Sequence, residues 1–134
     1  AKIIHCKRNL KDTALSIYKN MYEGLALFWS YDQQYLLKFI NLYKDLMSFW
    51  HQKMPNYIYD CHYENLVNNP IEETKKLIKF CNLEWEENCL DHTKNKTGIK
   101  TVSIEQARKP IYKNSVNLNK SYLEYLDFLN QINE

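Results

Sequence analysis

Apolar positions recur along this chain with two different periods. Residues 2 to 6, KIIHC, form a short, partly β-branched run that suits a buried strand. Lys7, Arg8 and Asn9 interrupt it, and the spacing then becomes helical. Asn9 is a capping residue, and Asp12 three positions later completes a capping-box-like arrangement and lies favourably near the helix dipole. A second helix is predicted from Ser30, with Gln33 at the box position. Leu36, Phe39, Ile40, Tyr43, Met47 and Trp50 then recur as a core-facing stripe. Pro55 breaks the chain, and NYIYDC at 56 to 61 reads as a second short buried strand.

Asn69 and Pro70 start the next helix, with Glu72 at the box position, and it is predicted to run to about Cys81. A helical stretch near 86 to 93 follows, then a Lys-, Thr- and Asn-containing segment with Gly98 that shows no sustained period through about residue 117. Such a segment is long for a connection inside a compact domain. Tyr122, Tyr125, Leu126, Leu129 and Ile132 lie on one stripe and predict a last helix. Strands separated by helices make this an α/β arrangement, mostly helical, with a few parallel strands flanked by helices. Two short parallel strands are normally bordered by others in a larger sheet, so the pattern reads as the C-terminal portion of a longer α/β domain. A small helical domain with a stunted sheet is the alternative.

Composition narrows the class. A chain of 134 residues has the length of one domain and can bury roughly two thirds of its unfolded surface. With 45% hydrophobic and 25% charged residues and no repeats or Pro/Gly/Ser tracts, it reads as globular. A formal charge of +2 does not point to nucleic acid, although residues 93 to 120 hold seven Lys or Arg against Glu105 alone. No run of 18 apolar residues and no basic-then-apolar leader occur, so neither a membrane span nor a signal peptide is expected. Cys6, Cys61, Cys81 and Cys89 form no CxxC pair and are expected as free thiols. His5, His51, His62 and His92 are scattered, so no metal is expected.

Candidate chemistry centres on the break after the first strand. In open parallel sheets ligands sit beyond the carboxyl ends of strands, which is where Lys7, Arg8 and Asn9 fall. An Arg fork gives a phosphate two parallel charge-assisted hydrogen bonds, and a helix start adds backbone N–H groups. Ser16 lies one turn beyond Asp12 on the same face, placed to donate to the same anion. The same residues equally fit an exposed Arg and a helical Ser bonded back to a carbonyl. Tyr63 is either a flat contact surface or a core tyrosine, and the late basic run is either a binding segment or a solvated face.

KIIHCKRNLKDTALSIYKN, PNYIYDCHYENLVNNPIEETKKLIKFCNLEW and TVSIEQARKPIYKNSV, in this order, resemble the sulfotransferase family, above all its tyrosylprotein and tetratricopeptide-linked branches. The likeness covers almost the whole chain. It implies a P-loop-like sulfotransferase fold and transfer of a sulfuryl group from 3'-phosphoadenosine 5'-phosphosulfate (PAPS) to a hydroxyl or amine acceptor. It implies that Arg8 and Ser16 hold the 3'-phosphate of the nucleotide cosubstrate and that Tyr63 contacts the nucleotide. A flap from Ser103 to Tyr112, with Arg108 and Lys109 ahead of Pro110, would cover it. Glu64 reads as part of a structural turn, Glu64 to Val67, and not as a base.

The departures carry weight as well. Leu10 stands where the family often has Pro, and Asn20 and Leu118 stand where the tyrosylprotein branch has basic residues, with Lys113 and Lys120 as possible substitutes. The family's Gly- and Ser/Thr-containing phosphosulfate loop and its catalytic base lie upstream of the matched region. This chain, with Gly24 and Gly98 as its glycines, contains no such loop. The expectation is therefore a partial domain, residues 1 to 134, with the 3'-phosphate site near 7 to 20 and no catalytic residue of its own. It would be inactive alone and completed by a missing N-terminal half or a partner chain. The acceptor stays open, and so does the compartment: cytoplasm for a bacterial protein, Golgi lumen for a eukaryotic one. The competing reading is a non-catalytic helical module that recruits a protein through its sheet edge or its eleven tyrosines.

Overall fold

The computed structural model describes residues 1–22, 25–91, 93, 111 and 113–133. Strand β1 (Ile3–Lys7) is followed by helix α1 (Leu10–Lys19), a 3-10 segment (Leu25–Tyr31) and the long helix α2 (Gln33–Lys53). Then come β2 (Ile58–His62), α3 (Tyr63–Asn68), α4 (Pro70–Phe80), 3-10 turns at Glu87–Leu90 and Leu118–Tyr122, and a short α5 (Asp127–Asn130). The described residues are thus mostly helical, with β1 and β2 paired in a small parallel sheet. No helix among them is long and apolar enough to cross a membrane. The chain forms two compact units, Ala1–Lys7 with Tyr59–Asn114, and Arg8–Ile58 with Ser115–Glu134.

The first unit holds the sheet, α3 and α4. Its strands are less buried than their composition predicts: Ile3 and Ile4 remain 43% and 42% exposed, because among the described residues β1 has a neighbour on one edge only. Among the described residues, Cys61 and Val67 are its buried apolar side chains. Helix α4 starts at Pro70, whose fixed φ and missing N–H suit a first helical position. It stops through left-handed Asn82 (φ 58°), with Asn82 N–H donating to Lys79 O and Leu83 N–H to Ile78 O, the paired bonds of a Schellman ending. Tyr59 packs on Phe80 at 5.1 Å, and the Lys2 ammonium lies 4.6 Å from the Phe80 ring centre.

The second unit contains the main core. Helix α1 turns Leu10, Ala14 and Leu15 inward against Leu36 and Ile40 of α2 and against Phe128 and Leu129 of α5. Full burial of each large side chain contributes roughly 1.5–3 kcal/mol. Tyr18 packs on Phe128 at 5.3 Å.

Three predicted helical stretches are corrected here. Helix α2 begins at Gln33 with Asp32 as its cap, accepting from Tyr35 N–H at 2.8 Å, while Ser30 is buried in the preceding 3-10 segment and donates to Leu27 O. Of its predicted stripe, Leu36 and Ile40 are buried, whereas Phe39 and Trp50 are exposed and Trp29 stacks on Phe39 at 3.9 Å. The predicted last helix is broken into the 118–122 turn and α5, so Tyr125 is 79% exposed while Phe128, Leu129 and Ile132 enter the core. Likewise, the stretch near 86 to 93 is a 3-10 turn over Glu87–Leu90.

Candidate anion site at the start of α1

Arg8 is the residue after β1, and Asn9 caps the helix that follows. With φ −44° and ψ 125° Asn9 stays outside helical geometry, and its Oδ1 accepts the Asp12 N–H at 2.9 Å. Its carbonyl accepts both Thr13 N–H and Thr13 Oγ1–H at 3.0 Å. The cap behaves as its sequence predicts. Asp12 does not close the predicted box. Only 2% exposed, it reaches 105 residues along the sequence: Oδ2 accepts Asn117 N–H at 2.8 Å, and Oδ1 accepts the N–H and Nδ2–H of Asn119, both at 2.7 Å.

These bonds lay residues 115 to 119 along the start of α1. Asn117 takes the left-handed conformation (φ 61°), which Asn tolerates better than most residues and which turns two nearby N–H groups toward one carboxylate. Asn119, itself buried, also donates from Nδ2 to Asn9 Oδ1 at 3.2 Å. Arg8, half-buried, donates from Nη2 to Ser115 O at 2.6 Å. A guanidinium, a capped helix start and this turn therefore share one rim of the second unit. A guanidinium beside helical N–H dipoles suits a multiply charged oxyanion.

Ser16, in the second turn of α1, is half-buried on the face that Asp12 also occupies. Asn20, which replaces a basic residue of the tyrosylprotein branch, closes α1 instead: its N–H donates to Ile17 O and its Nδ2–H to Ser16 O at 2.8 Å. Leu118, the other replacement, packs against the core, and Lys120 is exposed in the turn that Asn119 anchors. Tyr63 opens α3 in the first unit and is half-buried; Glu64 and Val67 fall in that helix, so the expected turn is a helical one. Ser103, Arg108, Lys109 and Tyr112 lie outside the described residues.

Sequence reasoning missed two clusters. Asp12 with Asn117 and Asn119 was signalled only by an Asn suited to positive φ and by a carboxylate on an inward helical face. In the first unit, His5 Nδ1 lies 2.8 Å from Asp60 Oδ1, and Lys7 Nζ lies 3.5 Å from Asp60 Oδ2. His5 and Asp60 are each the third residue of a five-residue strand, and Lys7 follows on the same face, a signal that needed only the strand pairing. All four cysteines are free, and burial pushes the Cys61 thiol up, helped by Cys6 and Glu73.

Comparison with known proteins bears on this geometry. Residues 1–87 match the model described as "Sulfotransferase family". The chain is 36% identical over 128 residues to an uncharacterized protein of Aquifex aeolicus (strain VF5), covering 94% of this chain and 17% of that protein. It is 26% identical over 140 residues to Sulfotransferase 1B1 of Mus musculus, covering 86% of this chain and 46% of the mouse enzyme. The chain thus spans less than half the length of either relative.

Proposed function

The chain belongs to the sulfotransferase family, and from that premise we propose that it supplies the 3'-phosphate side of a PAPS site. Arg8 and Ser16 hold the 3'-phosphate, Tyr63 contacts the nucleotide, and the segment containing Ser103, Arg108, Lys109 and Tyr112 covers it. The observation that carries the reading is the placing of Arg8 beside the Asn9-capped start of α1, where charge and helical N–H groups favour an anion together. The Arg8 guanidinium and the Ser16 hydroxyl are donors of the kind a phosphate dianion accepts from.

In the reaction of the whole protein, the sulfur of PAPS leaves its bridging phosphate oxygen and bonds to an acceptor hydroxyl or amine, which gives up its proton. The residues here bind and orient the leaving nucleotide. The base and the phosphosulfate loop are assigned outside these 134 residues, so the isolated chain is expected to bind and not to turn over.

Calorimetry with adenosine 3',5'-bisphosphate tests this. The chain should bind it, and Arg8→Ala should weaken binding about tenfold or more, the value of a lost charged hydrogen-bond pair, with an unchanged melting transition. Equal binding by the variant overturns the reading. A second reading is favoured by the outward apolar residues Leu42, Leu46 and Phe49 of α2: a helical module that recruits a protein. It predicts no bisphosphate heat from either protein.

A further inference from the structure

We infer that Asp12 is the positioning residue of the phosphate site, acting through the turn 115–119 and not by touching the ligand. The inference rests on the reading of Arg8 given above. A carboxylate this deeply buried is costly unless its oxygens are bonded, and Asp12 accepts three hydrogen bonds of 2.7 to 2.8 Å from two residues. All three come from one turn. Two of them are backbone N–H groups, so what they fix is the path of the chain and not merely a side chain. Ser115 stands two residues ahead of Asn117, and its carbonyl is the acceptor for Arg8 Nη2.

The order of dependence follows from these contacts. Asp12 holds Asn117 and Asn119, these set the position of the Ser115 carbonyl, and that carbonyl holds one nitrogen of the Arg8 guanidinium. A planar fork binds phosphate well only at the right angle, whereas an ammonium would tolerate rotation. Asn119 ties the same turn to the cap through Asn9 Oδ1, so the helix start and the guanidinium are registered to each other by one buried cluster. A positioning role of this kind makes one class of ligand sensitive: nucleotides that carry a 3'-phosphate. Nucleotides with only a 5'-phosphate should hardly notice it.

The test compares adenosine 3',5'-bisphosphate with adenosine 5'-monophosphate on wild type, Asp12→Asn and Asn119→Ala, with circular dichroism melts of each. Wild type should prefer the bisphosphate about tenfold. Asp12→Asn, whose amide presents N–H groups to N–H donors, should lose most of that preference while the monophosphate Kd stays within about twofold. Asn119→Ala keeps the two backbone bonds and should lose part of it, which preserves the test if Asp12→Asn melts out. A full preference in a folded Asp12→Asn, or in Asn119→Ala if Asp12→Asn is unfolded, overturns the inference and leaves the site reading intact. Parallel weakening for both nucleotides reduces Asp12 to a structural role and also overturns it. No preference in wild type removes the site reading and the inference with it.

Discussion

Helices α1 and α4 are ten and eleven residues long, each follows an asparagine, and each carries an acidic residue three positions after it, Asp12 after Asn9 and Glu72 after Asn69. Their surroundings differ. Asn9 makes its cap bond and α1 buries Leu10, Asp12, Ala14 and Leu15, whereas Asn69 makes no side-chain cap bond and α4 buries no residue fully. Glu72 faces water and Asp12 is sealed under a turn. One local signature therefore marks both helix starts, while tertiary partners decide which start becomes part of a site. Capping satisfies only nearby donors; what distinguishes α1 is a carboxylate taken up by donors more than a hundred residues away.

Substitutions separate the two helices in order of expected effect. Leu15→Ala should cost about 3 kcal/mol because it empties packed core, whereas Ile71→Ala in α4, at a site 50% exposed, should stay within about 0.5 kcal/mol; urea unfolding of the two variants reads the contrast. Asp12→Ala should cost about 3 kcal/mol by stranding the donors of Asn117 and Asn119. Glu72→Ala, its counterpart, should change the urea midpoint little. A small loss for Asp12→Ala would mean that water replaces the carboxylate easily and that the cluster is not a rigid anchor.

Asn9→Ala should cost about 1 kcal/mol and Asn69→Ala a few tenths at most, since only the first removes a made cap bond. Thermal melts of the pair would resolve this. The smallest effect concerns α4 alone. Glu73 accepts a hydrogen bond from Lys76 at 2.6 Å, which raises the Lys76 pKa, first through that bond and then through the carboxylate charge. A raised folded pKa contributes stability that is complete below the ordinary value of 10.5 and is lost as pH rises through the folded one. The melting difference between wild type and Glu73→Gln should accordingly be flat between about pH 6 and 9 and shrink above 10.5.

Much of this could be read from the sequence, and the failures share a cause. Asn9, Pro70 and the α/β order were legible because caps, breaks and period changes act over a few residues. Arg8 was legible as a residue just past a strand. Strand burial at Ile3 and Ile4 was misjudged because it depends on how many strands border β1, which composition does not state. The α2 stripe and the last helix were overcalled because period alone does not say which apolar residues find partners: Phe39 stays exposed, and the stripe from Tyr122 to Ile132 is interrupted. Asp12 was read as half of a local box because its true partners lie past residue 115. The pairing of His5 with Asp60 needed the strand register, which a scan for clustered ligands along the sequence passes over.

The most direct test is an amide-resolved NMR titration of the chain with adenosine 3',5'-bisphosphate. The account predicts saturable shifts concentrated on Arg8 to Thr13, Ser16, Tyr63 and Ser115 to Asn119, with the matching start of α4 at Asn69 to Glu73 unmoved. Shifts of equal size at both helix starts, or none at Arg8 and Ser16, would contradict it.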